Sequence, residues 1–417
     1  MRARQLIAIV IVGVLAVGCG DSAPVVTPTP SPVPSVATAQ PSATVQPSGV
    51  SPTASPSGGP AQATPSPSPT PGPDWTALRW AQPVTLSADA TPPDDILQWR
   101  GAYVALGTDR DRAAAWISTD FATWTPASVE GFPLRDARIG FPVAGPDGLV
   151  SLGVHGRLHC GTGEGSTCDP QPIAIWTSAD GRSWHGRAAP AVFKGATIAA
   201  VAAGPDGIVA VGDTGWDHPA AWFSTDGRSW SRERLPAAMF RHAVFYGLTA
   251  VRGRWVLTGM TDPSKPQCCA GGTSKDIKAA AWFSAEGRSW SRASVESPAE
   301  EAIGLAFAGS GGLASGGFDR NWLSADGSSW LSGPTDPDFG PVASDGDRII
   351  GYSQGDDDGL ELWVSTDGRS WQVLADAGDA SAKPSWGAPN AYFLLRAGLA
   401  IVGRDGSLWL ATPTRAP

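Results

Sequence analysis

Nowhere does this sequence gather its lysines and arginines. Thirty of them stand against 39 acidic residues, for a formal net charge of −9. A nucleic-acid partner calls for a basic stripe over the phosphates, so that class is excluded. The lack of a polybasic cluster removes electrostatic adhesion to an anionic membrane surface as well. HExxH, serine-nucleophile motifs and phosphate loops are also absent. The nearest approach is "GSGG" at 309–312, which falls in a turn between strands with no helix behind it to present amides. Cysteine is scarce, five in 417 residues, and no CxxC frame occurs among them. No cofactor is expected.

What is present begins with "MRARQLIAIVIVGVLAVGC". Arg2 and Arg4 form a basic start, and residues 6–17 an apolar run of signal-peptide length, too short to span a bilayer comfortably. "LAVGC" resembles a bacterial lipobox, with Ala16 where Leu is more usual. The resemblance implies a lipoprotein signal peptide over 1–18, cleavage after Gly18 and lipidation of Cys19. A plain secretory signal is the alternative, and either places the mature protein outside the cytoplasm. Residues 19–73 follow as a Pro, Ser and Thr-rich linker ("TPTPSPVPSV", "ATPSPSPTPGP"), which has nothing to bury and is expected to be disordered. The expected location is therefore the extracytoplasmic face of a bacterial cell membrane, held by the N-terminal lipid.

Residues 74–417 are dominated by one repeat. "AAWFSTDGRSW" (220–230) returns almost unchanged as "AAWFSAEGRSW" (280–290). Its leading Trp falls at Trp116, Trp176, Trp222, Trp282, Trp322, Trp363 and Trp409, at intervals between 40 and 60 residues. That is the period of four-stranded propeller blades. Each copy is preceded by an apolar strand, a turn and a second apolar strand, as in "IAAVAAGPDGIVAVGD". Asp226-Gly227 reads as a two-residue hairpin with both central φ positive. The seventh repeat stops without a fourth strand, and "DWTALRWAQP" (74–83) is left over at the other end. The expectation is an all-β, seven-bladed propeller of four-stranded antiparallel blades, the last closed by the N-terminal strand.

The segments "SADGRSW" (178–184), "STDGRSW" (224–230), "SAEGRSW" (284–290), "SADGSSW" (324–330) and "STDGRSW" (365–371) resemble the Asp-box, or BNR, repeat of sialidase-type propellers, one residue shorter than its common form. "STDFATW" (118–124) departs by placing Phe121 where Gly is wanted, which predicts a different turn there. The resemblance implies that Asp120, Asp180, Asp226, Glu286, Asp326 and Asp367 are structural. It also implies that ligands meet the opposite face, where strand two joins strand three and blade joins blade.

Candidates on that face are irregular residues. The long insertions of blades two and four hold Cys160, Cys168, Cys268 and Cys269. In an oxidising compartment these form up to two disulfides, Cys160–Cys168 being preferred, with a vicinal or free Cys268 and Cys269, or cross-bridges, as alternatives. His155 and His159 beside those thiols are weak metal candidates. Asp356 and Asp358, with Asp357 between them, are weak calcium candidates and read better as a solvated acidic turn. Trp216, Asp217 and His218, with Asp109, Asp111 and Trp386, are binding-face candidates: a ring to stack on a sugar and groups to bond its hydroxyls.

A sialidase resemblance would imply three convergent arginines, a Tyr nucleophile with a Glu partner, and an F/Y-R-I-P signature. "FPLRD" (132–136) has those letters scrambled, and of only four tyrosines Tyr246 with Glu301 is the one imaginable pair. The expected function is non-catalytic binding of a protein or glycan partner. A sialidase-like glycosidase and an envelope scaffold or assembly factor are the alternatives.

Overall fold

The run "IAAVAAGPDGIVAVGD" folds as two antiparallel strands, Thr197–Gly204 and Gly207–Asp213. Pro219–Ser224 adds to the second, and Ser231–Glu233 to the third. This blade belongs to a computed structural model that describes residues 73–415 except 88, 132–133, 160–168, 216–217, 263–275, 334–338, 355–359 and 377–388. Seven such sheets occur, over 95–126, 142–188, 197–233, 243–292, 306–332, 339–373 and 391–415. The protein is a seven-bladed β-propeller. The last sheet takes Pro73–Trp80 as its outer strand, antiparallel to Leu408–Arg415, so the ring is closed as expected.

Three sheets carry a fifth strand that the sequence did not announce. Ser128–Glu130, Ser294–Val295 and Ala375–Asp376 each leave their own blade and pair in parallel with the outer strand of the next. An outermost strand otherwise shows unpaired amides to solvent, and these straps cover it. Ahead of blades three and four a short helical turn does the linking instead. It lays Phe193 on Trp222 and Phe240 on Trp282, with ring centroids 5.0 and 5.1 Å apart and planes tilted by 20°.

Seven apolar clusters fill the seven gaps between blades. Both tryptophans of a repeat enter the same gap: Trp176 and Trp184 meet Val104 and Leu106 of blade one, and Trp222 and Trp230 meet Val150 and Leu152 of blade two. Each buried indole contributes at most roughly 4–6 kcal/mol gross, from ~150–250 Å² at ~25 cal/mol per Å². Blade seven has only Trp409 from its own repeat, and Trp75 and Trp80 of the N-terminal strand complete its gap.

The repeated turn differs from a two-residue hairpin. Gly227 has φ +71°, while Asp226 is not among the positive-φ residues. Asp226 uses its carboxylate instead, accepting from the amides of Arg228 and Ser229 at 2.7 Å each, while the Gly227 amide donates to Ser224 Oγ at 2.8 Å. Trp230 Nε1 closes the turn on the Gly227 carbonyl at 3.1 Å. Burial alone raises the Asp226 pKa, yet these amides and the Ser224 and Ser229 hydroxyls outweigh it and bring it down to about 2. Positive φ at both central positions is found at Arg110 (+47°) and Asp111 (+63°), which join strands two and three of blade one.

Blade one was expected to turn differently at Phe121, and it does not. Phe121 adopts φ +64°, its amide reaches Ser118 Oγ at 2.9 Å, and Trp124 Nε1 reaches the Phe121 carbonyl at 3.0 Å. The strain is offset by burial of the ring against Tyr103 and Trp124. Ala400 of blade seven stands in the same apolar cluster. In the other gaps a turn glycine touches its neighbour closely: a Cβ on Gly227 would lie 2.3 Å from Val150 Cγ2.

Gly253, at φ +73°, has open space around its missing Cβ. Gly253→Ala should therefore lose only the cost of a left-handed alanine, about 1–2 kcal/mol. Gly227→Ala adds overpacking and should lose about 3 kcal/mol. Denaturant melts giving equal losses at the two sites would show that the Val150 contact costs nothing.

Candidate functional site

Strands alternate in direction within each blade, so two faces of the ring differ. The Ser-x-Asp turns and the strand one-to-two turns share one, here the turn face. The strand two-to-three connections and the blade-to-blade connections share the other, the loop face. Asp109, Asp111, His155, His159 and His218 all lie on loop-face connections or the strand ends beside them. Trp216, Asp217, Trp386, Asp356, Asp358 and all five cysteines, including Cys19, fall outside the described residues.

Asp109 ends strand two of blade one, pairs with Arg112, and borders a hollow of about 230 Å³ floored by Ala113 and Ala115. Its Oδ1 is buried without a hydrogen-bond partner among the described residues. Asp111 sits at the exposed hairpin tip, beside an Arg110–Asp89 ion pair. His218 closes a small loop in which its carbonyl accepts from Thr214 at 3.1 Å. His155 and His159 stand at the base of the blade-two insertion, where the Asp169 amide donates to the His159 carbonyl at 2.8 Å. Burial lowers the His155 pKa, favouring the neutral ring. These candidates are spread over three blades and are not brought together.

A denser polar group lies where blades seven, one and two meet. Thr91, Pro92, Asp94, Thr108, Arg138 and Asn390 line a cleft of about 360 Å³. Backbone bonds hold it in place: Asp94 N to Leu106 O at 2.9 Å, Arg138 N to Val154 O at 2.9 Å, and Asn390 N to Val402 O at 2.8 Å. Arg138 grips Asp94 with two nitrogens, Nε to Oδ2 at 2.6 Å and Nη2 to Oδ1. That hydrogen bond is the main reason the guanidinium pKa is raised. Thr91 and Thr108 hydroxyls bond each other at 2.8 Å.

Beside this pair, Asp95 opens the innermost strand of blade one, Asp95–Trp99, at its loop-face end. Its Oδ2 accepts from the amide of Phe141, at 3.1 Å, which a left-handed backbone (φ +50°) aims from the approach to blade two. Burial, then the charge of Asp94, pushes the Asp95 carboxyl up to about 7, against the pull of Phe141 and Arg138. The reading of the sequence passed over this cluster. The available signal was "PPDDI" (92–96), two adjacent acids at the start of an otherwise apolar strand.

Tyr246 and Glu301 do not meet. The tyrosine hydroxyl contacts Met260 Sδ at 3.4 Å, and burial raises its pKa to about 12. Glu301 is buried and accepts from the Phe318 amide at 3.1 Å, the Asp319 amide at 3.3 Å and Arg320 Nε at 3.2 Å. It is an internal anchor for the strand two-to-three loop of blade five.

No protein-family model matches the chain, and no curated protein matches it. Solved structures do. A Mycobacterium tuberculosis puromycin-hydrolyzing peptidase is 12% identical with a TM-score of 0.45, over 84% of this chain and 57% of that one. Trypanosoma rangeli sialidase is 13% identical at 0.38, over 81% and 58%. An Aleuria aurantia lectin mutant, in complex with Fucalpha1-6GlcNAc, is 14% identical at 0.36, over 70% and 99%. A peptidase, a sialidase and a lectin at such identities select no function for this propeller.

Proposed function

We propose that this chain is a lipid-anchored, extracytoplasmic Asp-box propeller whose loop face binds a protein or glycan partner without catalysis. The observation that carries the reading is the state of the Tyr, Glu and Arg groups that sialidase-type hydrolysis would need. Glu301 is committed to Arg320 and two amides, Arg138 to Asp94, and the Tyr246 hydroxyl to a thioether. Glycoside cleavage asks for paired groups free to exchange protons across the bond. The turn carboxylates, for their part, are spent on backbone amides.

Pro73 begins the outermost strand of blade seven at its turn-face end, because that strand runs antiparallel to Leu408–Arg415. With lipidation at Cys19, the protein should partition with membranes, and Cys19→Ala should release it in soluble form. Equal membrane partitioning of the two would remove the lipid anchor. A panel of fluorogenic glycosides, sialosides included, should show no turnover above background. Turnover abolished by Tyr246→Phe would replace binding with catalysis.

A further inference from the structure

We infer that the cleft between Asp94, Arg138, Thr108 and Asn390 holds one residue of a neutral glycan, and that it discriminates against acidic sugars. The inference rests on the reading of the loop face as a binding surface and names what it takes. The cleft, of about 360 Å³, lies within the ~300–1,000 Å³ range of small-ligand sites.

Its chemistry narrows the occupant. An anionic ligand needs an unspent guanidinium, and the Arg138 fork is already filled by the Asp94 carboxylate. A second carboxylate brought there would face Asp94 as a like charge, with Asp95 next to it. A cation gains little, because the charge of Asp94 is balanced by Arg138. An apolar ligand would strip water from hydroxyls, an amide and an ion pair and return no hydrogen bonds.

A polyhydroxylated, uncharged ligand meets none of these costs. The Thr91 hydroxyl donates to the Thr108 carbonyl at 3.2 Å and shares a 2.8 Å bond with the Thr108 hydroxyl, so the pair meets a sugar hydroxyl with acceptor lone pairs. Asn390 donates through Nδ2 to the Gly403 carbonyl at 3.3 Å and keeps its amide oxygen to accept. Asp94 and Arg138 retain further acceptor and donor positions beyond their two mutual bonds. Pro92 supplies an apolar wall for the C–H face of a sugar ring. The contributing side chains come from strand two of blade one and from the approaches to blades one, two and seven, so the specificity belongs to the closed ring and to no single repeat.

The test uses the full chain and two kinds of probe. Methyl glycosides of glucose, galactose, mannose and N-acetylglucosamine are the neutral set, and 3′-sialyllactose and galacturonic acid the acidic one. Titration should show binding within the neutral set and none within the acidic set. Asn390→Ala and Thr108→Val should each weaken the bound sugar by about tenfold, the loss of one well-made hydrogen bond, with unchanged melting temperature. Asp94→Asn, followed with its melting curve because it also loosens the ion pair, should shift preference toward the acidic probes. Binding confined to acidic sugars overturns the inference, as does an absence of binding by every neutral probe. Neutral binding untouched by Asn390→Ala and Thr108→Val places the sugar elsewhere and also overturns it. In those cases the broader reading of the loop face stands or falls separately, by whether an extracellular protein binds there and is displaced by loop-face substitutions.

Discussion

A chain lacking residues 73–83 is expected to lose cooperative melting, whereas one that begins at Pro73 should melt like the full protein. The deleted strand buries Trp75, Leu78 and Trp80 in the gap between blades six and seven. Two indoles and a leucine amount to roughly 10–14 kcal/mol of gross apolar stabilisation, an upper bound. That is comparable with the whole net stability of a typical domain, about 5–15 kcal/mol. Further contacts go with it: Trp80 Nε1 donates to Asp376 Oδ1 at 3.0 Å, and the parallel strap at Ala375 loses its partner. The strand Leu408–Arg415 would be left as an open edge, so aggregation should accompany the loss. Calorimetry on the two truncated chains makes the comparison. A cooperative transition within a few degrees of the full-length value in the shorter one would show that the ring does not depend on this closure.

Asp95→Asn should stabilise the protein at alkaline pH and leave it nearly unchanged in acid. The sign follows from proton binding. In the unfolded chain the carboxyl titrates near its ordinary 3.8, and in the folded chain at about 7. Between those values the native state binds more protons than the unfolded one, so stability falls as pH rises through the window and levels off above it. At about 1.36 kcal/mol per pH unit the span sets a ceiling of about 4 kcal/mol, and the partial exposure of the residue lowers the expected effect to about 2–3 kcal/mol. Asparagine keeps an oxygen for the Phe141 amide and cannot ionise. Melting temperatures recorded from pH 5 to pH 8 should decline less steeply for Asp95→Asn, with the variant a few degrees higher at pH 8. Parallel curves would mean that Asp95 is ionised throughout.

Much of the architecture was legible because its signal is periodic and local. Seven tryptophans at blade spacing identify seven strands buried on both faces, and a strand left over at one end with one missing from the last repeat predicts the mixed closure. Misreadings arose where one dipeptide serves two geometries. Asp226-Gly227 has the letters of a tight hairpin, but the carboxylate accepts amide bonds within the loop and only the glycine turns left-handed. At Phe121 the letters argued for another turn, and burial of its ring against Tyr103 and Trp124 accompanies the same one. The straps and the Phe193 and Phe240 stacks carry no repeat and had no signal to read.

By itself, the sequence determined that the chain makes a ring of like blades with chemically plain turns on one face and irregular loops on the other. Which charges cancel was decided only in the folded molecule. Asp94 and Arg138 are separated by 44 positions and belong to the approaches of different blades. Coulomb attraction, desolvation and hydrogen bonding depend on distance through space, and the radial packing of blades sets those distances. The cleft lined by Asp94, Arg138 and Asn390 and the raised pKa of Asp95 are properties of that packing.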